Sequence, residues 1–447
     1  MISGLDKVHM EVGRHIYRIG HNLKNGLEGE SLDSIHIYGG NFLRGETKVQ
    51  GSKNAVLPIL AASLLVKGTC VIKNCPRIAD VYHMQNLLQE LGCFVTWAGN
   101  TVTVNALHVN DNRMSGESVT RMRSSVMLLG AMLGRLGEVT MAYPGGCVIG
   151  SRPIDIHLSA LRNMGVEIEE QERLFTAKAK RLQGIELKLP FPSVGATENV
   201  VLAAVTAEGT TVLEHAAKEP EIEALCGFLK AAGAEIDGVG SNKLVIHGVK
   251  ELHEAKYTVP SDRIVAGTYL TAALAAGGSI FLENAPAGQL GALLAVAEEM
   301  GGCVTVNEEG VGIDVMHRLK AYPYLKTEVH PGFPTDLQSP LMAALSVAQG
   351  KSVIEENIFE NRFRIVDDLQ RMGAEIEVVK NKAYIDGVET LKGMHVEAEE
   401  LRGGAALVVA GLAAEGRSIV RNRHFIERGY ENICKDLRNL GADINIG

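Results

Sequence analysis

Two patterns of apolar residues recur along the chain, in phase with each other. The first is a helix-like stretch that closes on glycine and then alternates apolar and polar positions, as a half-buried strand does. It reads Leu88-Gln89-Glu90-Leu91-Gly92-Cys93-Phe94-Val95 and returns at 161–168, 229–236, 297–304, 369–376 and 437–444. The glycines, at 92, 165, 233, 301, 373 and 441, are 73, 68, 68, 72 and 68 residues apart. The second pattern is an alanine- and leucine-rich helix that ends near Gly68, Gly137, Gly209, Gly278, Gly350 and Gly416. A short strand follows each, such as Thr69-Cys70-Val71-Ile72 or Ser418-Ile419-Val420. Glycine suits the left-handed residue that closes a helix. Each unit therefore reads strand, helix, strand, helix, strand, strand. Periods of about 20–50 residues mark solenoids and propellers; a longer period points to a duplicated α/β subdomain. Six units divide into two domains of three.

Composition narrows the setting. The 447 residues suffice for two or three domains. The longest apolar run, 55–66, contains Pro58 and falls short of the roughly 20 residues that span a bilayer. The start, Met1-Ile2-Ser3-Gly4-Leu5-Asp6-Lys7, lacks the apolar core of a signal peptide. A net charge of −9 argues against a nucleic-acid partner and requires any anionic ligand to find a local basic cluster. The seven cysteines are scattered and form no Cys-x-x-Cys pair, which points to a reducing, cytoplasmic setting and away from disulfides or a zinc site. Cys70, Cys93 and Cys303 fall on repeat strands and are expected in the core. Residues 1–34 form a polar extension, amphipathic over 8–23, to which no function is assigned.

Cys147 lies outside both repeats, in Pro144-Gly145-Gly146-Cys147-Val148-Ile149-Gly150-Ser151-Arg152-Pro153. A thiol on a glycine-rich loop beside Arg152 is placed to react, since a cation favours the thiolate; an incidental loop cysteine is the other reading. Basic residues also stand where helices begin, at Lys53, Arg123, Arg152, Arg362, Arg402 and Arg428. Helix N-termini already carry partial positive charge. Six such placements fit anion sites, in which backbone N–H groups and cations converge on phosphate or carboxylate; unrelated surface charges are the alternative. Asp336, in Phe333-Pro334-Thr335-Asp336, is either a helix cap or a general base.

Taken in order, Gly51-Ser52-Lys53-Asn54-Ala55, the cysteine loop, Phe333-Pro334-Thr335-Asp336, Glu360-Asn361-Arg362-Phe363 and Glu427-Arg428-Gly429-Tyr430 resemble the UDP-N-acetylglucosamine enolpyruvyl transferase family. The resemblance covers about 35–447. It implies a two-domain inside-out α/β barrel, with 53–260 as one domain and 35–52 plus 261–447 as the other, and substrates in the cleft between them. It implies transfer of the enolpyruvyl group of phosphoenolpyruvate to the 3′-hydroxyl of UDP-N-acetylglucosamine, the first committed step of peptidoglycan synthesis, without metal or organic cofactor. Cys147 would protonate the methylene carbon, attach covalently to phosphoenolpyruvate, and be alkylated by an epoxide phosphonate such as fosfomycin. Asp336 would be the base, and Lys53, Arg123, Arg152, Arg362, Arg402 and Arg428 would hold phosphate and carboxylate. Asn54 would lie near the reacting centre. Arg152, Pro153, Ile154, Asp155, Ile156 and His157, with Ser193, Val194 and Gly195, would contact the uridine diphosphate. Glu400 replaces the aspartate common in the family, and the extension has no counterpart in short members. A transferase resembling 5-enolpyruvylshikimate 3-phosphate synthase and a catalytically silent paralogue are the alternatives.

Overall fold

The computed structural model describes residues 33–114, 116–145, 150 and 154–447. The amphipathic stretch 8–23, Cys147, Arg152 and Pro153 therefore lie outside the described residues.

Among those residues, six four-stranded sheets share one wiring. In one of them Thr69–Lys73 pairs in parallel with Ala255–Thr258 and antiparallel with Thr101–Asn105, which pairs antiparallel with Phe94–Ala98. The remaining five repeat this order of one parallel and two antiparallel pairings. Distant strands close each set of three. Ala255–Thr258 returns to the first sheet, while Leu43–Lys48 joins Gly278–Glu283 and Ser34–Tyr38 lies between Arg417–Arg421 and Asp443–Ile446. The expected unit of strand, helix, strand, helix, strand, strand is thus present, completed by exchange across the ends of the chain.

The apolar helices lie inside and the sheets outside. Lys53–Ala62 packs on Met127–Leu136, which packs on Val194–Ala204; Arg263–Ala276, Gln338–Leu345 and Leu401–Ala413 form a mutual triad. Every residue of 263–274 and 401–412 is buried, as expected of helices that are apolar on all sides. Small residues allow the close approach: a Cβ on Gly130 would stand 2.4 Å from the Asn199 carbonyl oxygen. Strands bury alternate residues, so one sheet face covers the helices and the other meets water. Two hydrophobic cores result, one drawn from residues 55–259 and one from 35–49 and 264–444. No helix among the described residues is long and apolar enough to cross a membrane.

The glycines of the first pattern all take the left-handed backbone, with φ from +86° to +107°. In the second pattern Gly68 departs from the other five, whose φ values are positive. A Cβ there would lie 2.7 Å from the exposed Glu254 side chain, whose carboxylate accepts the Thr69 N–H at 2.8 Å. One core expectation is corrected: Cys70 and Cys93 are buried, but Cys303 is exposed. Cys303 is the second residue after its repeat glycine where Cys93 is the first, so alternation along Cys303–Val306 turns it outward, as it does Phe94.

The chain passes between the cores at 50–52 and 260–262. Gly51 and Ser261 form an antiparallel bridge, flanked by Ser52 N–H to Pro260 O and Asp262 N–H to Gln50 O, both 2.8 Å. Two inner helices start from this crossing.

Candidate active site

Lys53 is the first residue of its helix. Ser52 caps that helix by accepting the Ala55 N–H at 3.3 Å, and no acidic residue stands in the first turn. Asp262 supplies the missing negative charge from the other strand of the crossing. Its Oδ2 accepts the Lys53 N–H at 2.9 Å, while Oδ1 accepts from Ile264 and Val265 on its own helix. One carboxylate thus caps a helix of each core, which brings both N-termini to one place.

Around this point the basic residues converge on two aspartates. Asp336 sits in the short 3-10 turn Thr335–Leu337 and caps no helix. Its Oδ1 accepts from Arg362 at 2.5 Å and its Oδ2 from Arg402 at 3.3 Å. Both guanidiniums are buried, while the Asp336 side chain keeps 27 % exposure. Burial alone would raise the Asp336 carboxyl; Arg402, then Arg362, then Lys53 outweigh it and hold the group well below the usual carboxylate range. Arg402 in turn lies 5.8 Å from the Tyr430 ring centroid and 3.4 Å from its hydroxyl, which also bonds Thr268 at 2.7 Å. Glu400 is the N-cap of the Arg402 helix, accepting the Arg402 N–H at 2.7 Å and the Gly403 N–H.

The second aspartate, Asp80, is 1 % exposed on the first turn of Ala79–Glu90. It takes the Lys53 ammonium at 3.0 Å and the Arg428 guanidinium at 2.9 and 3.2 Å. Burial opposes its ionisation, but Lys53 and Arg428 prevail and lower the carboxyl to about 2. Burial lowers Lys53, offset in part by Asp80 and reinforced by Arg428 and Arg402.

A second group lies on the side of the first core. His157 is buried, and its Nδ1 meets the Asn199 amide at 2.9 Å. Its ring packs over Gly195, where a Cβ would come within 2.9 Å, and Ser193 caps that helix. Ile154, Asp155 and Ile156 line a cavity of about 600 Å³ together with Arg123, Tyr143 and Lys188. Arg123 therefore stands with this strip, whereas Lys53, Arg362, Arg402 and Arg428 gather around the aspartates. Asn54 is half-buried beside Lys53 and Val194 beside Ser193. Gly150, the end of the cysteine loop, abuts the second core: a Cβ there would fall 2.2 Å from a Glu360 carboxylate oxygen, two residues from Arg362.

Close to the crossing lies an acid-rich counterpart. Arg263 donates to Glu221 at 3.1 and 3.3 Å, and Glu219 accepts the His330 N–H at 3.3 Å. Buried Glu198 is raised well above its ordinary value by burial, then by Glu221 and Glu219. Sequence reading missed Asp80, Asp262, Arg263, Glu221 and Tyr430. Arg263 also begins a helix and fits the pattern of basic helix starts. Asp80 and Asp262 look like ordinary acidic helix starts in sequence, and only their partners distinguish them.

Comparison with known proteins gives concordant matches. The family model for EPSP synthase (3-phosphoshikimate 1-carboxyvinyltransferase) matches residues 37–437. The chain is 46% identical over 413 residues to UDP-N-acetylglucosamine 1-carboxyvinyltransferase 2 of Caldanaerobacter subterraneus subsp. tengcongensis, over 92% of this chain and 99% of that one. It is 46% identical over 416 residues to UDP-N-acetylglucosamine 1-carboxyvinyltransferase 1 of Halalkalibacterium halodurans, over 92% and 94%. Among solved structures, the enolpyruvyl transferase NikO from Streptomyces tendae superposes with a TM-score of 0.83 at 25% identity, over 92% of this chain and 98% of that one. EPSP synthase from Acinetobacter baumannii shares the fold, with a TM-score of 0.71 at 19% identity over 93% and 100%.

Proposed function

The chain belongs to the EPSP synthase family of enolpyruvyl (1-carboxyvinyl) transferases, and from that premise we propose that it moves the enolpyruvyl group of phosphoenolpyruvate to the 3′-hydroxyl of UDP-N-acetylglucosamine. The near-complete match to relatives named for this transfer favours the nucleotide sugar over shikimate 3-phosphate as acceptor. The reaction would serve peptidoglycan synthesis in the cytoplasm. Its domains would be 53–260 and 35–52 with 261–447.

The sugar oxygen adds to C2 of phosphoenolpyruvate while C3 gains a proton. Loss of a C3 proton and of phosphate then restores the double bond. Asp336 takes the hydroxyl proton and Cys147 delivers one to C3. Lys53, Arg362, Arg402 and Arg428, with Arg152, hold the anionic groups and balance the charge of departing phosphate. Ile154, Asp155, Ile156 and His157, with Ser193, Val194, Gly195, Pro153 and Arg123, receive the uridine diphosphate; the cavity of about 600 Å³ supports this for Arg123, Ile154, Asp155 and Ile156, which line it. Asn54 adjoins the reacting atoms.

One observation carries the chemistry: Lys53, Arg362, Arg402 and Arg428, drawn from both cores, converge in pairs on Asp80 and Asp336, with Glu400 3.9 Å from Arg362. Cations gathered in this way can receive an anion with several negative charges. Phosphate release by the purified protein is the test. Release with phosphoenolpyruvate and UDP-N-acetylglucosamine, and none with shikimate 3-phosphate, is expected. Release with shikimate 3-phosphate alone would move the reading to the sister activity, and nucleotide-sugar binding without release would identify a silent paralogue.

A further inference from the structure

We propose that Asp80 is a positioning residue that assembles the anion-binding pair Lys53 and Arg428 from opposite sides of the cleft. The inference rests on the function proposed above. Lys53 begins a helix of one core, and Arg428 ends the 3-10 segment Arg423–Arg428 of the other. Nothing in the local sequence of either brings them together. Asp80 does so with both oxygens: Oδ1 accepts Arg428 Nε at 2.9 Å, and Oδ2 accepts Lys53 Nζ at 3.0 Å and Arg428 Nη2 at 3.2 Å. A forked contact fixes the guanidinium plane as well as its distance.

Exposure gives the arrangement a direction. The Asp80 side chain is 1 % exposed, Lys53 11 % and Arg428 29 %. An arriving anion meets the cations and not the carboxylate behind them. Two cations on one carboxylate leave a net positive charge facing the cleft.

Asp80 is not needed to attach the segment that carries Arg428. Gln50 Nε2 donates to Gly429 O at 3.0 Å, and its Oε1 accepts the Glu431 N–H at 2.8 Å. Glu431 Oε1 accepts the Arg77 N–H at 2.5 Å and the Asn100 amide at 3.2 Å. These bonds dock the backbone immediately after Arg428, so Asp80 is left to aim the side chains. It also keeps the buried Lys53 ammonium charged. The charged groups around that ammonium are Asp80, Arg428, Arg402 and Asp336; both acids favour its proton, and Asp80, in direct contact at 3.0 Å, does so most. His83, on the Asp80 helix, faces Asp80, Arg428 and Arg121, and burial favours its neutral form.

Steady-state kinetics of Asp80→Asn and Asp80→Glu across pH test the proposal. For Asp80→Asn the KM for phosphoenolpyruvate should rise about tenfold or more, the scale of a lost charged hydrogen bond. kcat should fall less, and the KM for the nucleotide sugar should stay put. The alkaline rise in KM for phosphoenolpyruvate should begin at lower pH than in the parent, because Lys53 loses its proton sooner. Asp80→Glu keeps the charge but misplaces it, so its KM should rise without the shift in pH; it carries the test if Asp80→Asn does not fold. An unchanged KM for phosphoenolpyruvate, an equal rise in both KM values, or an unmoved pH limb in Asp80→Asn would each overturn the proposal. If the parent protein turns over neither acceptor, the functional reading has failed and calorimetric binding of inorganic phosphate decides. At least tenfold weaker binding by Asp80→Asn supports the role of Asp80, and equal binding refutes it.

Discussion

Two buried charge clusters meet where the cores cross, and they share their charges differently. Asp80 and Asp336 are each paired with two cations. Around Arg263, the carboxylates Glu198, Glu219 and Glu221 outnumber the cation. Burial pushes Asp80, Asp336, Glu198 and Glu219 toward the neutral form. Where two cations meet one carboxylate they overcome burial, and Asp80 is lowered to about 2. Where acids are in the majority burial prevails, and Glu198 and Glu219 are raised. Burial thus accompanies ionised carboxylates in one cluster and protonation-prone acids in the other. Arg263 feels both, since Glu221 binds it and Asp336 lies within its electrostatic reach.

The largest effect expected in breaking this contrast comes from Asp336→Asn. It removes the carboxylate that both Arg362 and Arg402 address, and as general base its loss should lower kcat by about 10²–10⁴-fold, read by phosphate release. The next largest is Arg263→Met, which strips the acid-rich cluster of its one bound cation. Leaving a buried charge without its partner costs about 3–5 kcal/mol, measurable by urea unfolding at neutral pH. Arg402→Met sharpens the point. Asp336 keeps Arg362, so the loss of stability should be clearly smaller even though anion binding suffers. Equal destabilisation by the two variants would show that the number of cations paired with each acid does not matter.

Glu198→Gln should have the smallest effect, about 1 kcal/mol or less at pH 5, and its signature is the pH trend. The raised carboxyl binds its proton more tightly folded than unfolded. The parent should therefore lose stability as pH rises from about 4.3, the unfolded value, through the folded one. The variant escapes this loss, so the gap between them should grow with pH in its favour. Asp80 runs the other way. Its contribution is present above the unfolded aspartate value and fades as pH falls toward about 2. A gap between Glu198→Gln and parent that stays constant from pH 5 to pH 8 would refute the protonated state of Glu198.

Much of the scaffold was legible in the chain because it repeats. Six glycines at matched spacing all take the left-handed conformation, since closing a helix and turning into a strand is a local problem. Burial was harder to read. Cys303 stands two residues after its repeat glycine where Cys93 stands one, so strand alternation turns it to the open face, as it does Phe94, which is 70 % exposed. Of the basic residues expected at helix starts, Lys53 and Arg402 do stand in first turns, while Arg362 precedes Val366–Arg371 and Arg428 ends a 3-10 segment; all four pair with Asp80 or Asp336.

What the sequence by itself determined is the repeat, the α/β alternation, the family and the residues able to carry the chemistry. These follow from local periodicity and from residue types at fixed spacing. Only the tertiary structure decided how the charges are shared. Lys53 and Asp80 are 27 positions apart and Arg428 lies 348 beyond Asp80, and no pattern along the chain relates them. Whether a buried carboxyl is lowered like Asp80 or raised like Glu198 depends on which charges fold against it.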